Sequence, residues 1–254
     1  MTHTTLWLAS ILSLLSGAIY FLRPNERYSQ FLGASAIIAH AAGLVFLLEY
    51  KDGFDFLTIG LLIAVIGNTL LWFSNRHKDL SLLLSAAFPM AAIIITLNIL
   101  EPWNLKQLHS QSLGTSLHIL IATAAYSLFT AACGIGILLA LQEYQLKHHK
   151  LRQLLRVPPL QVLESLMFEF IWAAFIFLSI TIVTGIYFVD DLFAQKLAHK
   201  TFFTLASWCV FASLLIGRHL AGWRGQLAVK ITLSGFFLLM LGYFGSQFVI
   251  EFIL

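Results

Sequence analysis

Eight runs of predominantly apolar residues dominate this sequence, and each is long enough to cross a lipid bilayer. They cover residues 5–22, 30–50, 54–74, 80–100, 115–142, 165–189, 201–219 and 227–254. A spanning helix needs about 20 such residues, because each residue rises about 1.5 Å and the hydrocarbon layer is about 30 Å thick. Hydrocarbon offers the backbone no hydrogen-bond partner, so such segments are helical. The expected fold is all-α, a polytopic transmembrane helical bundle of about eight helices forming one integral-membrane domain over 1–254. Composition agrees: 59% of the residues are hydrophobic and 11% charged. Soluble domains average about 45–50% apolar and about 25% charged residues. A soluble enzyme core and a disordered chain are both excluded.

The few charges sit in the gaps between runs, and their distribution predicts orientation. The gaps after the first, third, fifth and seventh runs, with their flanks, carry Arg23, Arg27, Arg76, Lys78, Lys147, Lys150, Arg152, Arg156, Arg218, Arg224 and Lys230. The alternate gaps hold Lys51, Lys106, Lys196 and Lys200. Of the 15 basic residues, 11 therefore fall on one side. The positive-inside rule makes that side cytoplasmic and sends both termini outward. The first run has no Lys or Arg before it and Arg23 and Arg27 after it, so it is expected to be an uncleaved helix rather than a signal peptide. The formal charge of +3 is a topology signal, and nothing in it suits nucleic acid. Residues 144–160 mix Leu with Lys, Arg and His, which fits either a surface helix on anionic lipid or a solvated basic loop.

Ionisable groups at membrane depth are expensive, so each is a candidate site. Of nine histidines, His3, His77, His109, His148, His149 and His219 fall in gaps or at run ends, where interfacial solvation accounts for them. His40, His118 and His199 remain. His40 lies in the middle of the second run. His118 and His199 stand at the heads of the fifth and seventh runs, which the charge pattern starts on the same outer side, and so at similar depth. Two neutral imidazoles there suit the axial ligation of haem iron. A zinc or copper site would need a further ligand, for which Asp190 and Asp191 in the same outer gap are available. Helix-end hydrogen bonding is the plain alternative.

Other polar residues carry less. Asn68 and Asn98 read as interhelical hydrogen-bonding groups, and Gly235, Gly242 and Gly245 with Ser234 and Ser246 as a close-packing face. Glu49, Glu169 and Glu251 lie near run ends and reach the interface. Cys133 and Cys209 lie inside apolar runs and read as small hydrophobes, and no CxxC occurs. The chain has no phosphate-binding Gly loop, HExxH motif or serine nucleophile elbow, so an enzyme is not expected.

From the fifth run onward four stretches carry a family resemblance. They are Leu117-His118-Ile119-Leu120 with Ala124-Ala125-Tyr126-Ser127; Pro158-Pro159-Leu160-Gln161 with Leu163-Glu164; Ala198-His199-Lys200-Thr201 with Leu205-Ala206-Ser207-Trp208; and Gly222-Trp223-Arg224-Gly225 with Gly242-Tyr243-Phe244-Gly245. In order and spacing they resemble the cytochrome c assembly superfamily of haem-handling membrane proteins, in particular its eight-helix YpjD-like and HemX-like branch. Residues 115–254 match best; the first half matches through its helix pattern and His40.

The resemblance implies a haem-binding protein of the bacterial inner membrane, serving cytochrome c biogenesis or haem handling. Haem b is then expected between His118 and His199 near the outer face, with His40 as a further ligand or neighbour. Membrane lipids and a protein partner in haem or cytochrome c biogenesis are the implied partners. The chain departs from haem-exporting members in having no Trp across 188–200 and no outer His beyond its last run. Two other readings stay open, a small-molecule or metal-ion transporter and a membrane regulator of haem biosynthesis docking its partner on the basic 144–160 segment.

Overall fold

The computed structural model describes residues 2–24, 27–51, 54–100, 113–148, 157–188 and 195–245. Eight helices follow one another: α1 Thr2–Leu22, α2 Arg27–Lys51, α3 Phe56–Asn75, α4 Ser81–Leu100, α5 Leu113–Lys147, α6 Leu160–Phe188, α7 Gln195–Ala221 and α8 Gly225–Met240. A π-helical turn, Leu241–Gly245, continues α8. All eight are long and apolar enough to cross a membrane, so the chain is a multi-pass membrane protein.

The helix ends differ from the apolar runs because hydropathy marks where lipid stops, not where helical hydrogen bonding stops. Helix α5 has 35 residues, about 52 Å, and continues past its apolar run to Lys147. There Lys147 pairs with Glu143 one turn back at 2.9 Å. Helix α6 starts at Leu160, directly after Pro158-Pro159, where the missing amide hydrogens cost nothing. The last run was expected to reach residue 254; regular α-helix stops at Met240, and residues 246–254 lie outside the described residues.

Backbone contacts divide the chain into two compact units, one holding α1–α4 and one holding α5–α8. In the first, α1 lies between α2 and α4, and α3 packs on both α2 and α4. Leu6, Ala9, Leu44, Leu47, Leu61, Leu62 and Ile95 form a core cluster. Pro89, inside α4, lies against Gly17 of α1, where a Cβ would come within 2.6 Å of Pro89 Cδ. Only glycine permits that approach. The α2–α3 corner is closed by a buried ion pair, Lys51 Nζ to Asp55 Oδ2 at 2.8 Å. Asp55 also caps α3: its Oδ1 accepts from Thr58 N, and Thr58 Oγ1 accepts from Asp55 N, both at 2.7 Å. Asn98 donates to the Leu57 carbonyl at 3.2 Å, the interhelical bond expected of it. Asn68 is buried too, but its Nδ2 finds no partner among the described residues.

In the second unit α5 runs along α6 and also packs on α8, which packs on α7. Phe129, Ile135, Leu163, Met167, Ile171, Phe211, Leu214 and Ala228 fill its interior. The α7–α8 turn needs glycine twice, at Gly222 (φ +64°) and Gly225 (φ +59°), both in the left-handed region. Between them Trp223 folds back and lays its indole on Gly217, too close for any larger residue there. Gly235 abuts Phe211, and its carbonyl accepts from Ser207 Oγ at 2.8 Å. The expected small-residue face is therefore real at Gly235 and at Gly242, which abuts Phe203, whereas Ser234 is exposed.

Candidate functional site

Four helices bring polar side chains to one end of the second unit. His118 is the sixth residue of α5, and its Nδ1 lies 3.0 Å from Thr184 Oγ1, near the end of α6. The bond has a definite direction. Thr184 spends its only hydroxyl proton on the carbonyls of Ile180 and Thr181, at 2.9 and 3.1 Å, so toward His118 its oxygen accepts. The Thr181 carbonyl, which can only accept, is also within reach of the imidazole. In that arrangement His118 carries its proton on Nδ1, and Nε2 is the nitrogen with the lone pair. Histidines that ligate metals are commonly set up in this way, one nitrogen held by an acceptor and the other left to coordinate.

The head of α7 closes the other side. Phe129 on α5 and Phe211 on α7 stack with ring centroids 3.9 Å apart, which sets the register of the two helices. His118 and Lys200 each lie eleven positions before their phenylalanine. Eleven residues make three turns and about 20°. Both side chains thus return to the facing sides of their helices at the same level, and the Lys200 charge acts on the His118 imidazole. His199 lies one position earlier, about 100° further round, and is exposed. The shared depth expected of His118 and His199 follows from this register, but the residue turned toward His118 is Lys200.

Tyr243, carried on the π-helical turn, forms the remaining wall. Lys200 Nζ stands 5.1 Å from its ring centroid. Its ring lies 5.6 Å from that of Tyr126, whose hydroxyl donates to the Leu239 carbonyl at 3.3 Å. A π-turn shifts every later side chain round the helix axis, and such turns concentrate at functional sites. Thr184, Tyr243 and the inward-facing Lys200 were missed as site residues from sequence. Lys200 had a usable signal, being one of only four basic residues on the sparse side of the charge pattern.

His40 belongs to the other unit. It is fully buried, with Nε2 on Ser13 Oγ and its ring 6.5 Å from that of Phe88. Its Nδ1 has no hydrogen-bond partner among the described residues. Asp190 and Asp191, the candidate extra ligands for a cation, lie outside the described residues, as do residues 149–156 of the basic 144–160 segment. Among the described residues no three His, Cys, Asp or Glu side chains gather as a metal-holding group.

The opposite end of the second unit carries its paired charges. Arg218 Nη1 meets Glu164 Oε1 at 2.6 Å, with the guanidinium 3.8 Å over the Phe168 ring. Gln226 Nε2 donates to Glu143 Oε2 at 2.9 Å. The stretches singled out in the sequence thus divide by role: His118, Lys200, Tyr126 and Tyr243 build one end, while Glu164 and Trp223 serve packing and pairing toward the other.

Residues 4–254 match the family model described as "Cytochrome C assembly protein". Over 218 residues, 84% of this chain and 83% of the relative, the sequence is 27% identical to "Inner membrane protein YpjD" of Escherichia coli (strain K12). Over 141 residues, 54% of this chain and 52% of the relative, it is 30% identical to an Azospirillum brasilense protein described as "Uncharacterized 28.8 kDa protein in nifR3-like 5'region". No solved structure shows a significant match.

Proposed function

The chain belongs to the cytochrome c assembly family, and on that footing we propose that it is a haem-binding protein of the bacterial inner membrane that serves haem handling in cytochrome c biogenesis. Its task is to hold haem b, with His118 as an axial ligand; His199, the second ligand expected from sequence, stands at the same level with its side chain exposed and would have to turn inward to complete the pair. The supporting observation is the His118 tautomer: Thr184 holds Nδ1–H, and Nε2 keeps the lone pair that iron requires. The His118 end suits haem, because it joins an imidazole on α5 to a Tyr126–Tyr243 wall with the Lys200 ammonium over Tyr243. Bound haem would supply a redox-active iron, and the chain itself contributes ligands, an apolar surround and orientation, with no bond chemistry of its own.

Orientation follows from the charge asymmetry, which places both termini and the His118 end on the periplasmic side. His40 stands outside the ligand pair in this proposal. It is buried on every side, it is bonded to Ser13, and it presents no open face to a macrocycle.

Detergent-purified protein supplied with haem tests the proposal. A Soret band that survives washing is expected, lost in His118→Ala and His199→Ala and retained in His148→Ala. A folded protein that shows no Soret band after haem is added overturns it.

A further inference from the structure

Lys200 differs from three other basic side chains near the membrane. Lys51, Lys147 and Arg218 each meet a carboxylate, at 2.8, 2.9 and 2.6 Å. Lys200 is half-buried, pairs with no carboxylate among the described residues, and rests its ammonium over Tyr243. An ammonium withdrawn from water without a counter-charge is costly, and a tyrosine face offsets only part of that cost. The cost falls at one place, opposite His118 and beside the Tyr126–Tyr243 wall. Gly242 packs against the head of α7, where a Cβ would lie 3.1 Å from Phe203 Cβ. A cation so placed suits a ligand that is apolar over most of its surface and anionic at one edge.

We propose that Lys200 binds a carboxylate of the ligand, namely a propionate side chain of haem. This rests on the haem reading above and adds a specificity determinant to it. The ammonium forms a charge-assisted hydrogen bond with the carboxylate, so Lys200 selects porphyrins that carry a free acid and fixes how the macrocycle is turned relative to His118. No bond is made or broken; the ligand's negative charge supplies the partner that the fold withholds.

The test compares haem with haem dimethyl ester, which keeps the ring and iron and lacks the charged carboxylates. Both are titrated into detergent-purified protein and followed by the Soret band. Wild type should bind haem about tenfold or more tightly than the ester, as loss of a charge-assisted bond implies. Lys200→Met should weaken haem alone and close that gap, Lys200→Arg should restore it, and His118→Ala should lose both probes. Far-UV circular dichroism checks that each variant is folded. A Lys200→Met protein that still prefers haem by the wild-type margin overturns the proposal while leaving haem binding intact. If wild type gives no Soret band with either probe, the haem reading itself fails and this proposal falls with it.

Discussion

His118 Nδ1 on α5 lies 3.0 Å from Thr184 Oγ1 on α6, and with the threonine proton on its own backbone carbonyls that oxygen is an acceptor for Nδ1–H. Were Thr184 to donate instead, the lone pair facing outward would be replaced by a proton and the ring would be unable to coordinate. The Ile180 and Thr181 carbonyls, within reach of the Thr184 hydroxyl, favour the first arrangement.

Thr184→Val keeps the side-chain shape and removes the acceptor. Loss of the partner that orients a metal-bound histidine typically costs about 10–100-fold in metal affinity. Haem affinity should fall toward the low end, about tenfold, because the Thr181 carbonyl still offers Nδ1–H an acceptor. Thr184→Ser should retain wild-type affinity in the same Soret titration.

In the first unit, Ser13→Ala removes the side-chain partner of buried His40, whose Nδ1 already has no hydrogen-bond partner among the described residues. Stranding a buried polar group costs about 1–3 kcal/mol. The thermal unfolding midpoint in detergent should drop accordingly, while haem content per chain should not change. A fall in haem content at unchanged stability would instead draw His40 into the ligand set.

Two glycines provide a contrast between close packing and open space. Valine at Gly17 collides with Pro89, and overpacking of this kind costs about 1–3 kcal/mol. Alanine at Gly60, where the nearest atom is Ile94 Cγ2 at 3.7 Å, should be neutral or stabilising by up to about 1 kcal/mol through helix propensity. Thermal melts of Gly17→Val and Gly60→Ala check both signs.

Orientation is open to labelling in intact cells. In a background lacking Cys133 and Cys209, a membrane-impermeant maleimide should reach Tyr50→Cys directly. His77→Cys should react only after the membrane is permeabilised. Both side chains are exposed, so a reversed pattern would invert the topology.

The spans were legible because backbone in hydrocarbon leaves no alternative to helix, and twenty apolar residues cannot be hidden in a sequence. Close packing was legible in kind at Gly235 and Gly242, although not in partner: nothing in the sequence pairs Gly17 with Pro89 or Gly217 with Trp223. The site was half legible. His118 and His199 stood out as candidates because a histidine at membrane depth is conspicuous and the charge count gave both the same level. Their rotation about the helix axis was not available, since it depends on the Phe129–Phe211 stack, a contact between residues 82 positions apart. One step of helical rotation decides that Lys200 faces His118 and His199 faces outward. Thr184 gave no signal because threonines in membrane helices ordinarily bond their own backbone, as Thr130 and Thr204 do here.

Haem content per chain tests the central claim most directly. Protein extracted from membranes and supplied with haem should show, oxidised and then reduced, the spectrum of a histidine-ligated haem b at one haem per chain. His118→Ala should abolish it. A wild-type protein that is folded, monodisperse and free of any retained Soret absorbance would contradict the account.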